Sequence, residues 1–301
     1  MYYSGFADEV SMDIDEQIRA TKALGWSTIE MRGVINGNLT DISDKDFDIV
    51  CEKTASAGIT VNCFGSGIAN GRNIPEGVDE YEKAIADMKR AIPRMKRLGS
   101  KMVRGMSFKV PSAEGDFFGS VYEQKVFDTL KRITALCEDN GVTYAHENCD
   151  GYGGLSYEHS LKLVDAVRSP AFKLIIDTGN PVWHEHHVGD KPYRGQSAWE
   201  FYDKVKEYVC YVHIKDAGMT TDPVTGEKKK MHVYPGEGEG DVKRIVADIL
   251  SRGYDGGFSM EMHMKPEQYR EKPAFPSESA KFNLYVEYGR RFMKLVDSVK
   301  K

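Results

Sequence analysis

Short apolar runs alternate with longer stretches of helical period along almost the whole chain. The apolar runs predict strands at 2–6, 28–32, 60–64, 102–108, 142–148, 173–177, 209–215 and 257–263. Between them the pattern predicts helices over 13–24, 43–57, 79–98, 123–140, 156–168, 197–208, 241–253 and 277–299. Helices repeatedly stop at a glycine, as at Gly58 and Gly99, where a left-handed cap favours that residue. Ser43 precedes an acidic first turn and reads as an N-cap. Pro93 lies inside the third helical pattern and predicts a kink or two shorter helices.

Strict alternation of strand and helix, with continuously apolar strands, implies a parallel sheet covered by helices. Eight such units predict an α/β fold, a (β/α)₈ TIM barrel formed as a single domain over residues 1–301. An open doubly wound sheet fits less well. The first strand runs into Ala7-Asp8-Glu9-Val10, with no glycine-rich phosphate loop. Two long insertions follow strands, at 181–196 with its run Trp183-His184-Glu185-His186-His187, and at 217–240 with Lys228–Lys230 and His232. In a barrel, loops after strands form the rim of the active-site face.

Composition narrows the class. Hydrophobic residues at 41% and charged residues at 29% exclude a largely disordered chain. No run approaches the roughly 20 apolar residues of a membrane span, and no membrane partner is expected. The first residues have neither the basic nor the apolar region of a secretory signal. Five scattered cysteines without a C-x-x-C pair suit reduced thiols, and a cytoplasmic location is expected. A formal net charge of −5 gives no global attraction for polyphosphate, so no nucleic-acid partner is expected. Lys228–Lys230 reads as a solvated loop triplet.

The chemistry lies in the second half. Four consecutive strands each end in a metal-capable side chain: Glu147, Asp177, His213 and Glu261, separated by 30, 36 and 48 residues. Residues at equivalent heights on neighbouring barrel strands converge on the axis. An unpaired carboxylate in apolar strand sequence is heavily penalised, and a shared divalent cation removes the conflict. Three carboxylates and one imidazole make an oxygen-dominated set that suits Mn²⁺ first, or Mg²⁺, with Co²⁺ and Zn²⁺ also accommodated. The alternative for each residue is an ordinary strand-end ion pair. His263 lies two residues after Glu261, Lys215 two after His213 and Arg32 two after Glu30, so strand alternation turns each member of a pair to one face. For these, substrate contact and a rim salt bridge both remain open. Arg104 either binds substrate or pairs with Glu30. His146 turns away from the axis if Glu147 turns in, which favours a supporting place over catalysis. The loop 149–154 is either a flap over the substrate or a tight turn.

Several words of sequence, in this order and spacing, carry a resemblance: Gly5-Phe6-Ala7-Asp8-Glu9-Val10, Ile29-Glu30-Met31-Arg32, Val103-Arg104-Gly105-Met106-Ser107-Phe108, His146-Glu147-Asn148, Asp177-Thr178-Gly179-Asn180, His213-Ile214-Lys215-Asp216, Pro235-Gly236-Glu237-Gly238-Glu239-Gly240-Asp241 and Glu261-Met262-His263. The chain resembles the xylose-isomerase-like barrel superfamily of sugar isomerases and epimerases, which also holds the endonuclease IV type of abasic-site nuclease. The resemblance implies that Glu147, Asp177, His213 and Glu261 bind one divalent metal, and that Glu147 and Glu261 are the catalytic acid/base pair. It implies α-proton abstraction from a ketose or oxo-sugar, with the metal as Lewis acid. Many relatives carry a histidine where this chain has Asn180, which argues against the nuclease and its histidine-rich multi-metal site.

The leading expectation is therefore a divalent-metal-dependent sugar isomerase or epimerase with a small carbohydrate substrate. The alternative is a lyase that cleaves a 3-oxo-glycoside by β-elimination at the same metal site. That elimination needs a further acid or base, for which His146, His263 and the 184–187 loop are candidates. A homo-oligomer is expected, with a small partner subunit in the lyase case.

Overall fold

The computed structural model describes residues 1–72 and 74–300. Eight parallel strands form one sheet: β1 (Tyr2–Gly5), β2 (Thr28–Met31), β3 (Thr60–Ile68), β4 (Met102–Gly105), β5 (Thr143–Glu147), β6 (Phe172–Asp177), β7 (Val209–Ile214) and β8 (Gly257–Met260). Their order around the sheet is β1-β8-β7-β6-β5-β4-β3-β2, so each sits beside its sequence neighbours and β8 returns to β1. The result is a nearly closed (β/α)₈ barrel. At the remaining seam, between β1 and β2, the Thr28 hydroxyl donates to the Tyr3 carbonyl in place of a backbone ladder.

Besides a four-residue helical turn at Asn180–Trp183, eight longer helices follow the strands among the described residues: α1 (Ile14–Ala23), α2 (Asp44–Ala57), α3 (Glu80–Leu98), α4 (Val121–Asp139), α5 (Tyr157–Val167), α6 (Ala198–Val205), α7 (Val242–Ser251) and α8 (Ala280–Val299). The sequence pattern placed all of them to within a few residues. Ser43 caps α2 by accepting from the Asp46 amide, and Gly58 closes the same helix at φ 66°. Pro93 does not divide α3, which is one continuous helix of 19 residues. Its neighbour Arg94 is buried and donates to the Leu39, Thr40 and Ile42 carbonyls, tying the helix body to the loop after β2.

Two apolar compartments result. The large one lies between strands and helices; the small one fills the barrel interior with Cys63, Ala145, Ile175 and Tyr211. Ala145, Ile175 and Tyr211 precede Glu147, Asp177 and His213 by two residues each. The period of two along a strand therefore stacks the polar layer directly on an apolar floor.

The insertion after β7 is a hairpin, in which Ala217–Thr221 pairs antiparallel with Lys228–His232. The lysine triplet thus lies on a strand, not in a loop. Lys229 pairs with Asp222, and Lys230 Nζ donates to the Val182 carbonyl at 2.6 Å. The loop 149–154 is a packed turn: Tyr152 is fully buried, and a Cβ on Gly154 would lie 1.8 Å from the Cys149 carbonyl oxygen.

Two distant words of the sequence meet through Asp216. Its carboxylate accepts from the amides of Ala217, Gly236, Gly238 and Gly240 at 2.8–3.1 Å. Glycine is required at 238, because a Cβ there would sit 2.4 Å from the Ala217 carbonyl oxygen and from Asp216 Oδ1. Asp216→Ala strips one acceptor from four amides, and each buried orphan costs about 1–3 kcal/mol. The variant should lose about 3 kcal/mol or more in urea denaturation, and a loss below about 1 kcal/mol would contradict the staple.

Candidate functional site

Ligand atoms of Glu147, Asp177, His213 and Glu261 all lie within 4.8 Å of one another, and all four residues are buried. They stand at the carboxyl ends of four consecutive strands, where barrel sites form. Glu147 ends β5 and Asp177 ends β6. His213 is the penultimate residue of β7, and Glu261 follows β8, its amide bonded to the Ile214 carbonyl.

Each carboxylate has a distinct set of partners. Glu147 Oε2 accepts from Arg104 Nε at 2.6 Å, while Oε1 faces His213 Nδ1 at 3.1 Å and Asn180 Nδ2 at 3.4 Å. Burial by itself would raise the Glu147 carboxyl; Arg104 and His213 outweigh it and hold it down at about 2. Asp177 Oδ1 accepts from the Gly179 and Asn180 amides at 2.8 and 2.7 Å. The Asn148 side chain brackets the Asp177 backbone, accepting from its N–H and donating to its carbonyl. Glu261 Oε1 accepts from Arg32 Nη1 at 2.7 Å, and its Oε2 from Lys215 Nζ at 2.9 Å. Despite burial, Lys215, His263 and Arg32 hold the Glu261 carboxyl well below its usual range.

His213 is gripped from both ends, with Nδ1 toward Glu147 and Nε2 3.0 Å from Glu30 Oε2. Burial would lower the imidazole, but Glu30 and Glu147 push it up to about 10. The ring meets Phe6 edge-on at 5.1 Å. Glu30, one of the candidate substrate contacts, is fully buried and meets that ring through Oε2.

The remaining candidates are also placed. Lys215 Nζ lies between Glu261 and Asp177, 3.0 Å from Asp177 Oδ2. Arg104 pairs with Glu147, not Glu30. Arg32 bridges Asp8, at 2.8 Å, and Glu261. The predicted strand through His263 stops at Met260, and His263 adopts φ 47°, outside the strand region. Its ring still joins Glu261 at 3.2 Å to Glu9 at 2.9 Å. His146 lies outside the cluster, hydrogen-bonded to Ser107 at 2.9 Å with its ring 6.0 Å from Phe172, and burial lowers it to about 4.

Asp8, Glu9, Asn148 and Phe6 belong to this site and were not singled out from the sequence. The Arg32 and Arg104 guanidiniums lie 4.3 and 5.4 Å from the Phe6 ring centroid. The signal was available in Phe6-Ala7-Asp8-Glu9, whose two carboxylates directly follow an apolar strand.

The donor set fits a divalent cation. Asp177 Oδ2 is buried and has no hydrogen bond among the described residues, since the nearby Lys215 ammonium is poorly aligned with it. That leaves an acceptor lone pair beside two more carboxylates and a histidine nitrogen, a hard, oxygen-rich set. With a cation in place, Glu30 would be the carboxylate partner that orients His213.

The family model for the xylose isomerase-like TIM barrel matches residues 18–278, and the chain belongs to that family. A 3-dehydroshikimate dehydratase of Pseudomonas putida is 24% identical over 192 residues, 61% of this chain and 27% of that protein. A 2-epi-5-epi-valiolone 7-phosphate 2-epimerase of Actinoplanes is 28% identical over 166 residues, 52% of this chain and 53% of that protein. The chain thus spans about a quarter of one relative's length and half of the other's. Among solved structures, the IOLI protein with a bound zinc atom superposes with a TM-score of 0.70 at 16% identity, covering all of both chains.

Lys215→Met should expose the repulsion stored in this layer. Removing one partner of a buried ion pair costs about 3–5 kcal/mol. In EDTA the variant should lose that much in urea denaturation, and added Mn²⁺ should recover part of it. Unchanged stability in EDTA would contradict the pairing.

Proposed function

We propose that the protein is a divalent-metal-dependent sugar isomerase or epimerase that abstracts a proton alpha to the carbonyl of a ketose or oxo-sugar. The observation that carries this reading is the buried convergence of three carboxylates and one imidazole at the catalytic end of the barrel. Glu147, Asp177, His213 and Glu261 would hold the cation, with Mn²⁺ the best match and Mg²⁺, Co²⁺ or Zn²⁺ accommodated. Bound there, it would act as a Lewis acid that makes the α-proton acidic.

The protein's own groups do the rest. Glu147 and Glu261 stand on strands three apart around the ring, and each is held ionised by its cationic neighbours, as a base requires. One takes the proton and can return it to the same or an adjacent carbon; return on the opposite face requires that the other carboxylate first take up a proton from solvent. Return from opposite faces gives epimerisation; transfer between adjacent carbons gives isomerisation. Lys215, Arg104 and Arg32 offer hydrogen bonds to substrate oxygens from the pocket that also contains Glu261 and His263. The epimerase relative and the zinc-bound neighbour support this reading.

A lyase is the second reading, favoured by the dehydratase relative and by His184, whose Nε2 lies 3.1 Å from Asp150 Oδ1 in the same pocket. There the same proton abstraction would be followed by loss of a β-substituent, with His184 able to protonate the leaving group. Both readings take a small carbohydrate as partner and are compatible with a homo-oligomer.

The test is a panel of free sugars, sugar phosphates and 3-oxo-glycosides incubated in D₂O with the Mn²⁺-loaded protein. One compound should gain deuterium beside its carbonyl at unchanged carbon skeleton, while a lyase would release a fragment. No exchange from any member, with the metal site shown to be filled, refutes the proposal. Glu147→Gln and Glu261→Gln should each slow exchange by about 100-fold or more; either variant exchanging at the wild-type rate would remove that residue from the acid/base pair. Asp177→Ala should lower bound metal in elemental analysis. Glu30→Gln should weaken Mn²⁺ binding by about 10–100-fold in calorimetric titration, and unchanged affinity would deny it the orienting role.

A further inference from the structure

The pocket over the cluster has a volume of about 340 Å³, near the low end for small-molecule sites and enough for one sugar ring. A second cavity of about 1010 Å³ adjoins it. The two share Arg72, Asp150, Trp183 and His184 in their walls, so the larger cavity lies directly beside the cluster pocket. A single monosaccharide leaves the larger chamber unused.

Trp183 stands at the junction. It is 41% exposed, although apolar side chains of its size are normally covered. The structure spends several contacts on holding it there. Lys230 Nζ bonds the carbonyl of the preceding residue, and the His232 ring packs against the indole at 5.1 Å. Asp150 pairs with both His184 and Arg72, which gives the junction a polar edge beside an aromatic one. Beyond the junction the wall mixes apolar and basic groups, with Val110, Ala113, Leu155 and Lys109. An amphipathic wall with an aromatic gatepost suits a hydroxylated ring better than a bare aliphatic chain.

We propose that the substrate has two parts: a sugar ring over the carboxylate cluster and a second ring, joined to it and stacked on Trp183, in the larger chamber. The second ring is planar or has a flat apolar face, as a hydroxylated aromatic group or another sugar does. This rests on the reading that a sugar docks at the cluster, and it assigns a place to the group joined to that sugar.

The test uses calorimetric titration of the Mn²⁺-loaded full chain with matched sets: methyl and phenyl glucosides, methyl and phenyl galactosides, and the disaccharides cellobiose and lactose. In at least one sugar series the phenyl compound or the disaccharide should bind tenfold or more tighter than the methyl compound. A phenyl preference identifies an aromatic second ring, and a disaccharide preference a sugar. Trp183→Ala should abolish that increment and leave the methyl affinity within twofold, and Ala113→Trp, which narrows the larger chamber away from the cluster pocket, should reduce it. Equal affinities within every series, an increment that survives Trp183→Ala intact, or no binding by any member overturns the inference. Equal affinities alongside deuterium exchange by a free sugar overturn it while sparing the proton-abstraction reading. An intact increment with no exchange from any compound does the reverse.

Discussion

Burying several carboxylates at one level of an apolar barrel is the constraint around which the rest of this molecule is arranged. Such groups repel one another and have lost most of their water, so each must be met by a donor or a cation. The chain meets them with Arg104 on Glu147, Arg32 and Lys215 on Glu261, and Lys215 again beside Asp177. His213 lies between Glu30 and Glu147 and takes on positive character from both. The layer is nearly balanced but not closed: among the described residues, Asp177 Oδ2, Glu30 Oε1 and Glu9 Oε1 are buried without a hydrogen bond.

This arrangement explains otherwise unrelated features. The apolar floor of Cys63, Ala145, Ile175 and Tyr211 keeps water from reaching the layer from below. The loops above are held by backbone amides and not by bulk: Asp216 collects four of them, and Asp177 Oδ1 collects two more. Gly238 and Gly240 stand where the Asp216 carboxylate and the Ala217 and Thr178 carbonyls leave no room for a side chain.

Much of this was legible in the sequence, because strand period and strand spacing act at long range in a barrel. Residues one β/α unit apart must become neighbours, so Glu147, Asp177, His213 and Glu261 could be grouped before any coordinates existed. Partner choice was not legible. Arg104 lies near enough to more than one carboxylate that only side-chain geometry selects Glu147, and Glu30 proved to support His213 from below. Strand alternation also failed beyond Met260, where the backbone turns left-handed at His263 and yet delivers the ring to Glu261. Pro93 leaves its helix undivided because Arg94 and a packed apolar face hold it, which outweigh one missing hydrogen bond.

The junction of β1 and β2 has a further meaning. It is the one boundary between staves that relies on side chains, with Thr28 low in the wall and Arg32 gripping Asp8 at the rim. Arg32 also grips Glu261 in the polar layer. The hoop that fastens the cask at its weakest joint is therefore tied to the contents of the cask. A ligand that draws Glu261 away would leave Arg32 with Asp8 alone, so the occupancy of the centre and the fastening of this joint draw on one guanidinium.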